Sequence, residues 1–294
     1  MNEPARRDGI TVGFDDSQEA RHSLEWAVGA ACRRETGLTV VHAYQVPVQA
    51  GPAKFGHVPD VLHDNSLGVL RHAQEHLAEL GVSDVPHGDL HFDSVRGEAA
   101  SVLIDRSRTS ELTVVGSRGL RTFDRFLLGS VSATLSARAY GPVAVVPGSA
   151  SAGRVSRVLV GIDVMDRDDH VLGFAFDEAA RAAAQLLAVH VFDPDHGGAR
   201  AADRAWVDRC CSDAREALVA VADRWGDTYP SVRWSVEVRS GRAAETLLAG
   251  THADDLVVVG GRRHPKSAGW MLGSVPDRLL KLAPCAVIVE HEHD

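Results

Sequence analysis

Glu111 to Val131, ELTVVGSRGLRTFDRFLLGSV, is the stretch around which the chain is organised. Leu112 to Val115 is short, apolar and rich in valine, the composition of a buried strand. Gly116 and Gly119 follow, and without their Cβ atoms the backbone N–H groups of the turn can approach a bound group closely. Gly129-Ser130 then opens a helix. Its unpaired N–H groups, its positive dipole end and the hydroxyls of Ser130 and Ser132 would face an anion lying before it. Two glycines after a strand also make a plain tight turn. The rest of the chain decides between these two readings.

Working outward, the same pattern occurs twice. ITVGFD at Ile10 to Asp15 returns as VLVGID at Val158 to Asp163, LTVVHAY returns as LLAVHVF at Leu186 to Phe192, and the central strand returns as DLVVVGG at Asp255 to Gly261. From Glu111 onward the register has no gap: Glu111 matches Asp255, Gly116 matches Gly260, and Gly129-Ser130 matches Gly273-Ser274. Between the copies, Gly148 to Arg154 (GSASAGR) is small and flexible, which predicts a boundary there and two domains, 1–150 and 151–294. A duplicated domain must account for both copies, so a nucleotide loop is favoured over a chance glycine turn.

Within the first copy, strand and helix alternate. Ile10 to Phe14 reads as a strand, Asp15-Asp16-Ser17 as a turn and helix cap, and Ala20, Leu24, Ala27, Val28 and Ala31 as one helical face, with Gly37 as the stop. Leu38 to Ala43 is a second strand. Gln45 to Pro59, with Pro47, Pro52, Gly51 and Gly56, reads as a long loop able to fold over a ligand. Leu67, Leu70, Ala73, Leu77 and Leu80 place a helix over Val61 to Leu80, ended by Gly81. His87 to Val95, a short helix, the central strand, the helix from Ser130 to Ala139 and the strand Val143 to Val146 complete the copy. Such alternation predicts an α/β fold, a doubly wound parallel sheet covered by helices on both faces, with ligands beyond the carboxyl ends of its strands. The last strands of the copies, Val143 to Val146 and Ala286 to Val289, would each be an apolar sheet edge, which predicts that they pair as a pseudo-dimer.

The spacing of Gly116, two residues, Gly119, nine residues and Gly129-Ser130 resembles the ATP-binding pattern of the universal stress protein family. The resemblance covers nearly the whole chain as two tandem, Rossmann-like domains of about 145 residues, an ordinary domain size. It implies that Asp15 contacts adenine or ribose, that Val41 lies beside the adenine ring, and that Gly116, Gly119, Gly129, Ser130, Val131 and Ser132 hold phosphates and ribose. Arg118, Arg121 and Arg125 are candidate phosphate partners, since the only lysines are Lys54, Lys266 and Lys281; a solvated charged face is the other use of such arginines. For Asp15 the other use is a helix N-cap. In the second copy the counterparts are Asp163, Gly260, Gly273 and Ser274, but Arg263 replaces the second glycine, Pro265 follows it, Val164-Met165 replaces Asp16-Ser17, and Pro276 replaces Ser132. A weaker second site is expected.

The net charge of −9 and the absence of a basic cluster speak against nucleic acid or an acidic membrane surface as the main partner. No run reaches membrane-spanning length and the start of the chain has no apolar leader, so a cytoplasmic protein is expected. Cys32, Cys210, Cys211 and Cys285 show no metal spacing and read as reduced. His42 and His190, equivalent in the two copies, read as structural, and His291 and His293 as a frayed tail. Neither a catalytic triad nor a Walker sequence GxxxxGK[ST] is present.

The expectation is an ATP-binding stress-response or signalling protein, with an adenine nucleotide, with or without Mg, as ligand, hydrolysis slow or absent, an unidentified protein partner and a homodimer as one assembly. One alternative is a nucleotide-free scaffold. The other is an adenylyl-transfer or ATP-pyrophosphatase-type enzyme, whose SGGxDS loop is here VGFDDS.

Overall fold

The computed structural model describes residues 9–46, 58–82, 85, 89–119, 128–164, 169–193, 204–261 and 272–291. The chain divides into two compact units, Met1–Gly148 and Ser149–Glu292. In unit 1 the order is β1 (Ile10–Gly13), α1 (Gln18–Arg34), β2 (Leu38–Tyr44), α2 (Val58–Glu79), β3 (Leu90–Arg96), α3 (Ala99–Arg106), β4 (Leu112–Gly116), α4 (Ser130–Arg138) and β5 (Val143–Val146). Its strands lie in the order β3-β2-β1-β4-β5, and every neighbouring pair is parallel. Helices α1 and α2 pack on one face, α3 and α4 on the other. Parallel strands buried on both faces need apolar residues throughout, and Val12, Val40, Val114, Ala144 and Val146 are fully buried.

Unit 2 repeats this plan with β6 (Arg157–Gly161), α5 (Asp169–Ala182), β7 (Gln185–Phe192), α6 (Arg204–Thr228), β8 (Trp234–Ser240), α7 (Ala243–Leu248), β9 (Asp255–Gly261), α8 (Ser274–Leu282) and β10 (Ala286–His291). Its strand order is β8-β7-β6-β9-β10, again parallel at each pair. The duplication extends to single atoms. A Cβ on Gly13 would meet Leu103 Cδ1 at 2.8 Å and Val115 Cγ1 at 3.3 Å, and one on Gly161 would meet Leu247 Cδ1 at 3.0 Å and Val259 Cγ1 at 3.3 Å. The same bare position at the end of the first strand thus receives the same leucine from the third helix in both units.

Several local expectations change. Helix α1 is stopped by Glu35, not Gly37: Glu35 takes the left-handed conformation (φ 53°, ψ 47°), and Thr36 N–H donates back to Ala31 O at 3.2 Å, closing the last turn. Its buried face is Ala20, Ser23, Leu24, Ala27, Ala30 and Ala31 with Trp26, while Val28 stays half-exposed. Helix α2 begins at Val58, so Pro59 lies in its first turn, where a missing N–H leaves nothing unpaired, and not in the preceding loop. Its inward stripe is Ser66, Leu70, Ala73 and Leu77, with Ser66 Oγ 2.6 Å from Ser94 Oγ; Leu67 is exposed one position off that stripe, and Leu80 is exposed just past the helix end at Glu79. The weak strand before α3 starts at Leu90, three residues later than the composition suggests. The loop residues 47–57 lie outside the described residues. No helix among the described residues is long and apolar enough to cross a membrane.

Candidate functional site

In unit 1, β1 is flanked by β2 on one side and β4 on the other, so the chain leaves β1 and β4 toward opposite edges of the sheet. A crevice opens at such a point, beyond the carboxyl ends of the two strands. Asp15 stands two residues past β1; Gly116 closes β4, with Gly119 three residues on. Asp15 Oδ1 accepts from Ser17 N–H at 3.1 Å, and Ser17 is the N-cap of α1, its Oγ accepting from Ala20 N–H at 3.1 Å. The cap role therefore belongs to Ser17. Asp15 Oδ2 faces Gly119: a Cβ there would fall 2.5 Å from this oxygen. Gly119 is not in the left-handed region, so its bareness serves close approach of the carboxylate and not an unusual φ.

The two ends of the glycine loop are clasped together. Gly129 N–H donates to Ser117 O at 2.8 Å, Ser117 N–H donates to Val146 O at 3.0 Å, and Ser132 Oγ–H donates to Gly116 O at 2.7 Å. Ser132 is 3% exposed, which corrects the expectation that its hydroxyl faces an anion: its proton is committed to the strand end. Gly129 is the N-cap of α4 and supplies no side-chain cap; the first intrahelical bond, Ala133 N–H to Gly129 O at 2.9 Å, comes after the N–H groups of Ser130, Val131 and Ser132. The Ser130 side chain is exposed. Beside this helix start, Ser117 Oγ is buried with no hydrogen-bond partner among the described residues. A buried polar atom without a partner is uncommon, and no local pattern of residues singles out Ser117.

Arg118 leans on α1, its Nη1 3.9 Å from Glu19 Oε1. Arg121 and Arg125 lie outside the described residues. Val41 is 2% exposed, and its carbonyl accepts from Phe14 N–H at 2.9 Å, so it forms floor beneath the β1 exit. His42 Nδ1–H donates to Phe14 O at 2.7 Å, and His190 Nδ1–H to Ile162 O at 3.0 Å, the structural use expected of both. Next to Asp15, Asp16 is left-handed (φ 63°) and bonded to Arg21 and His72. Burial opposes its charge, but those hydrogen bonds outweigh burial and hold its carboxyl below the ordinary value.

In unit 2, Asp163 follows β6 as Asp15 follows β1, and Gly273 caps α8 without a side-chain bond, followed by an exposed Ser274. Gly260 is in β9, in register with Glu290 of β10. The counterpart of Ser132 is Pro276, which is buried and has no hydroxyl to reach Gly260. Gly261 takes the place of Ser117, and a Cβ there would lie 2.5 Å from His291 Nδ1. His291, 2% exposed, ends strand β10 and is not part of a frayed tail. Arg263, Pro265 and His293 lie outside the described residues.

Two doubly wound α/β units, each with a glycine at the end of its fourth strand and an uncapped helix start at its switch point, define a duplicated protein of the Rossmann-like class. The model of the universal stress protein family matches residues 7–147 and again residues 154–291. The chain is 33% identical over 296 residues to a universal stress protein of Mycolicibacterium smegmatis, covering 98% of this chain and 99% of that one. It is 33% identical over 298 residues to a universal stress protein of Mycobacterium tuberculosis, covering 97% of this chain and 96% of the relative. Its fold is similar to the crystal structure of a universal stress protein from Archaeoglobus fulgidus, with a TM-score of 0.69 at 19% identity, covering 97% of this chain and 99% of that chain. The chain belongs to the universal stress protein family.

Proposed function

We propose that the protein is a cytoplasmic ATP-binding regulator of the stress response, built of two universal stress domains, 1–150 and 151–294, in which nucleotide occupancy of unit 1 alters conformation or partner choice. The observation that supports this most is the convergence, at one switch point, of the Asp15 carboxylate, the bare Gly119 and the uncapped start of α4. The residues fit a nucleotide. Backbone N–H groups of Ser130 and Val131 and the dipole of α4 would hold phosphate, with the Ser130 hydroxyl beside them. Ser117, whose buried hydroxyl has no partner among the described residues, is tied to the same helix start by the bond from Gly129 N–H to its carbonyl. Asp15 would accept from ribose or base, Val41 would form floor, Gly116 and Gly119 would leave the loop close enough to touch, and Arg118 would add charge. Ser132 holds the loop shut behind them. A Mg ion carried with the phosphates would neutralise part of their charge.

Catalysis is a minor part of this function. The loop contains arginine, glycine and serine but no lysine, and efficient phosphoryl transfer relies on a positioned cation and a group that orients water. Unit 2 carries the weaker site, at Asp163, Gly260, Gly273 and Ser274. Pro276 removes its clasp, which suits unit 2 to contact with a protein partner or a second copy of the chain. Release of bound nucleotide by denaturation, with identification by mass, together with calorimetric titration of ATP into the full chain, tests the proposal. Neither co-purified nucleotide nor heat of binding would leave the scaffold function in its place.

A further inference from the structure

Among the described residues, helix α2 is bonded to the turn that carries Asp15 through His72. Both oxygens of Asp16 are taken from different helices: Oδ1 accepts from Arg21 of α1 (Nη2 at 2.7 Å, Nε at 3.1 Å), and Oδ2 stands 2.7 Å from His72 Nδ1 of α2. Asp16 also carries the left-handed backbone that turns the chain out of β1, a conformation that is unfavourable for a residue with a Cβ and persists when its surroundings hold it. Its two neighbours are Asp15, which faces Gly119, and Ser17, which caps α1. The Asp16 clamp therefore sets the direction in which Asp15 leaves the strand.

We propose that His72 is a positioning residue for the unit 1 site: through Asp16 it holds the Asp15 turn against the glycine loop, so that ligand affinity follows the protonation of an imidazole on α2, an inference that rests on nucleotide binding at this site. A neutral imidazole with its proton on Nδ1 donates to the Asp16 carboxylate, and an imidazolium adds a full positive charge to the same contact. One turn further on, His76 Nε2 lies 2.9 Å from Glu25 Oε1, and His22 Nδ1 lies 4.0 Å from Glu25 Oε2, so the second tether between α1 and α2 is also imidazole to carboxylate. The charged and titratable groups around His72 are Asp16, Arg21, His22 and Glu25 across from it, Asp15 on the same turn, and Arg71, Glu75 and His76 on its own helix. Among the described residues, unit 2 lacks the device. Val164 stands in place of Asp16, and α5 is tied to α6 by Asp169, which accepts from Trp225 Nε1–H at 2.8 Å and Arg224 Nη2 at 3.2 Å, a neutral indole and a guanidinium, neither of which changes protonation near neutral pH.

The full chain is titrated with ATP by calorimetry at about pH 6 and about pH 8, either side of the imidazole range, as wild type, His72→Ala and His72→Gln. ATP itself titrates in this range, so the informative quantity is the ratio of wild-type to variant affinity at each pH. For His72→Ala the ratio should be about three- to tenfold at the lower pH, part of one charge-assisted bond, and fall below about twofold at the higher. His72→Gln, a neutral donor, should recover wild-type affinity at the higher pH only. A ratio that does not change with pH, or a ratio of one at the lower pH, overturns the proposal. A second measurement needs no ATP: by NMR, the Gly119 amide should follow the titration of the His72 ring in wild type and cease to follow it in Asp16→Asn. A Gly119 amide indifferent to that titration in wild type also overturns the coupling. If Gly119 follows His72 but ATP does not bind, the coupling stands and nucleotide binding fails; if ATP binds and both readouts are flat, the coupling alone fails.

Discussion

Asp15 Oδ2 occupies the space that a Cβ on Gly119 would require, at 2.5 Å from where that atom would be. Gly119→Ala must displace the carboxylate, and Gly119→Arg must displace it further. Each should weaken ATP binding, Gly119→Arg by about 1–3 kcal/mol, the usual effect of strain or a lost close contact. Calorimetry on wild type, Gly119→Arg and Arg263→Gly checks this and the inequality of the two sites together; two equal sites in wild type, or an unchanged Gly119→Arg, contradict it.

The shared glycine at the end of β1 and β6 predicts a matched pair of effects. Gly13→Ala places a methyl 2.8 Å from Leu103 Cδ1 and Gly161→Ala places one 3.0 Å from Leu247 Cδ1. Overpacking of this kind destabilises by about 1–3 kcal/mol, with the larger effect at Gly13, where the approach is closer. Urea denaturation of the two variants measures it, and Gly13→Ala combined with Leu103→Val should recover part of the loss.

Ser132→Ala separates a clasp from a ligand contact. The variant loses a buried bond of 2.7 Å and leaves the Gly116 carbonyl without its donor, an effect of about 1–3 kcal/mol on stability. Amide exchange at Gly129, whose N–H is bound to Ser117 O across the loop, should quicken. ATP affinity should fall less than in Gly119→Arg. A larger fall in affinity than that, with exchange unchanged, would assign the hydroxyl to the ligand.

Glu98 caps α3 by accepting from Ala100 N–H at 3.1 Å and from Ser101 N–H and Oγ–H at 2.8 Å each. Burial raises its pKa, but the Ser101 and Ala100 hydrogen bonds dominate and hold the carboxyl below its ordinary 4.5. A depressed folded value means that this stabilisation is fully present above pH 4.5 and is lost as pH falls through the lower folded value. Glu98→Gln should lower stability near neutral pH by about 1 kcal/mol, as loss of a cap does. It should also flatten the acid limb of a plot of urea midpoint against pH below pH 4.5.

Thiol chemistry gives an independent check on the core. Burial, and behind it the charge of Asp255, pushes the Cys285 thiol up to about 12. With a thiol so rarely ionised and fully covered, Cys285 should resist iodoacetamide at pH 8 until the chain is unfolded, while the exposed Cys32 is alkylated in the native state. Peptide mapping after timed alkylation distinguishes them.

The alternation of strand and helix, the duplication and the positions of the candidate loops were legible in the residues, because each depends on a local period or on a spacing that a second copy repeats. Val114 and Val258 are buried strand residues in both registers, and Gly116 and Gly129 lie at a strand end and a helix start as their flanking residues require. The termini of α2 and β3 were harder to place, since a proline in a first turn and a half-buried edge strand carry little periodic signal.

Which atoms face the site was decided only in three dimensions. Asp15 and Ser17 are both good caps by sequence, and the geometry of the β1 exit gives the cap to Ser17 and turns Asp15 toward Gly119. Ser132 reads as a ligand hydroxyl until the Gly116 carbonyl is seen 2.7 Å away across the closed loop. His72 lies 56 residues from Asp16, and no local pattern links them. The sequence by itself determined the elements, their order and their repetition, because backbone hydrogen bonding and burial impose periods that side chains must follow. Tertiary packing alone decided the pairings among polar groups, because a donor finds its acceptor through the approach of whole helices and strands, at distances along the chain over which sequence has no period.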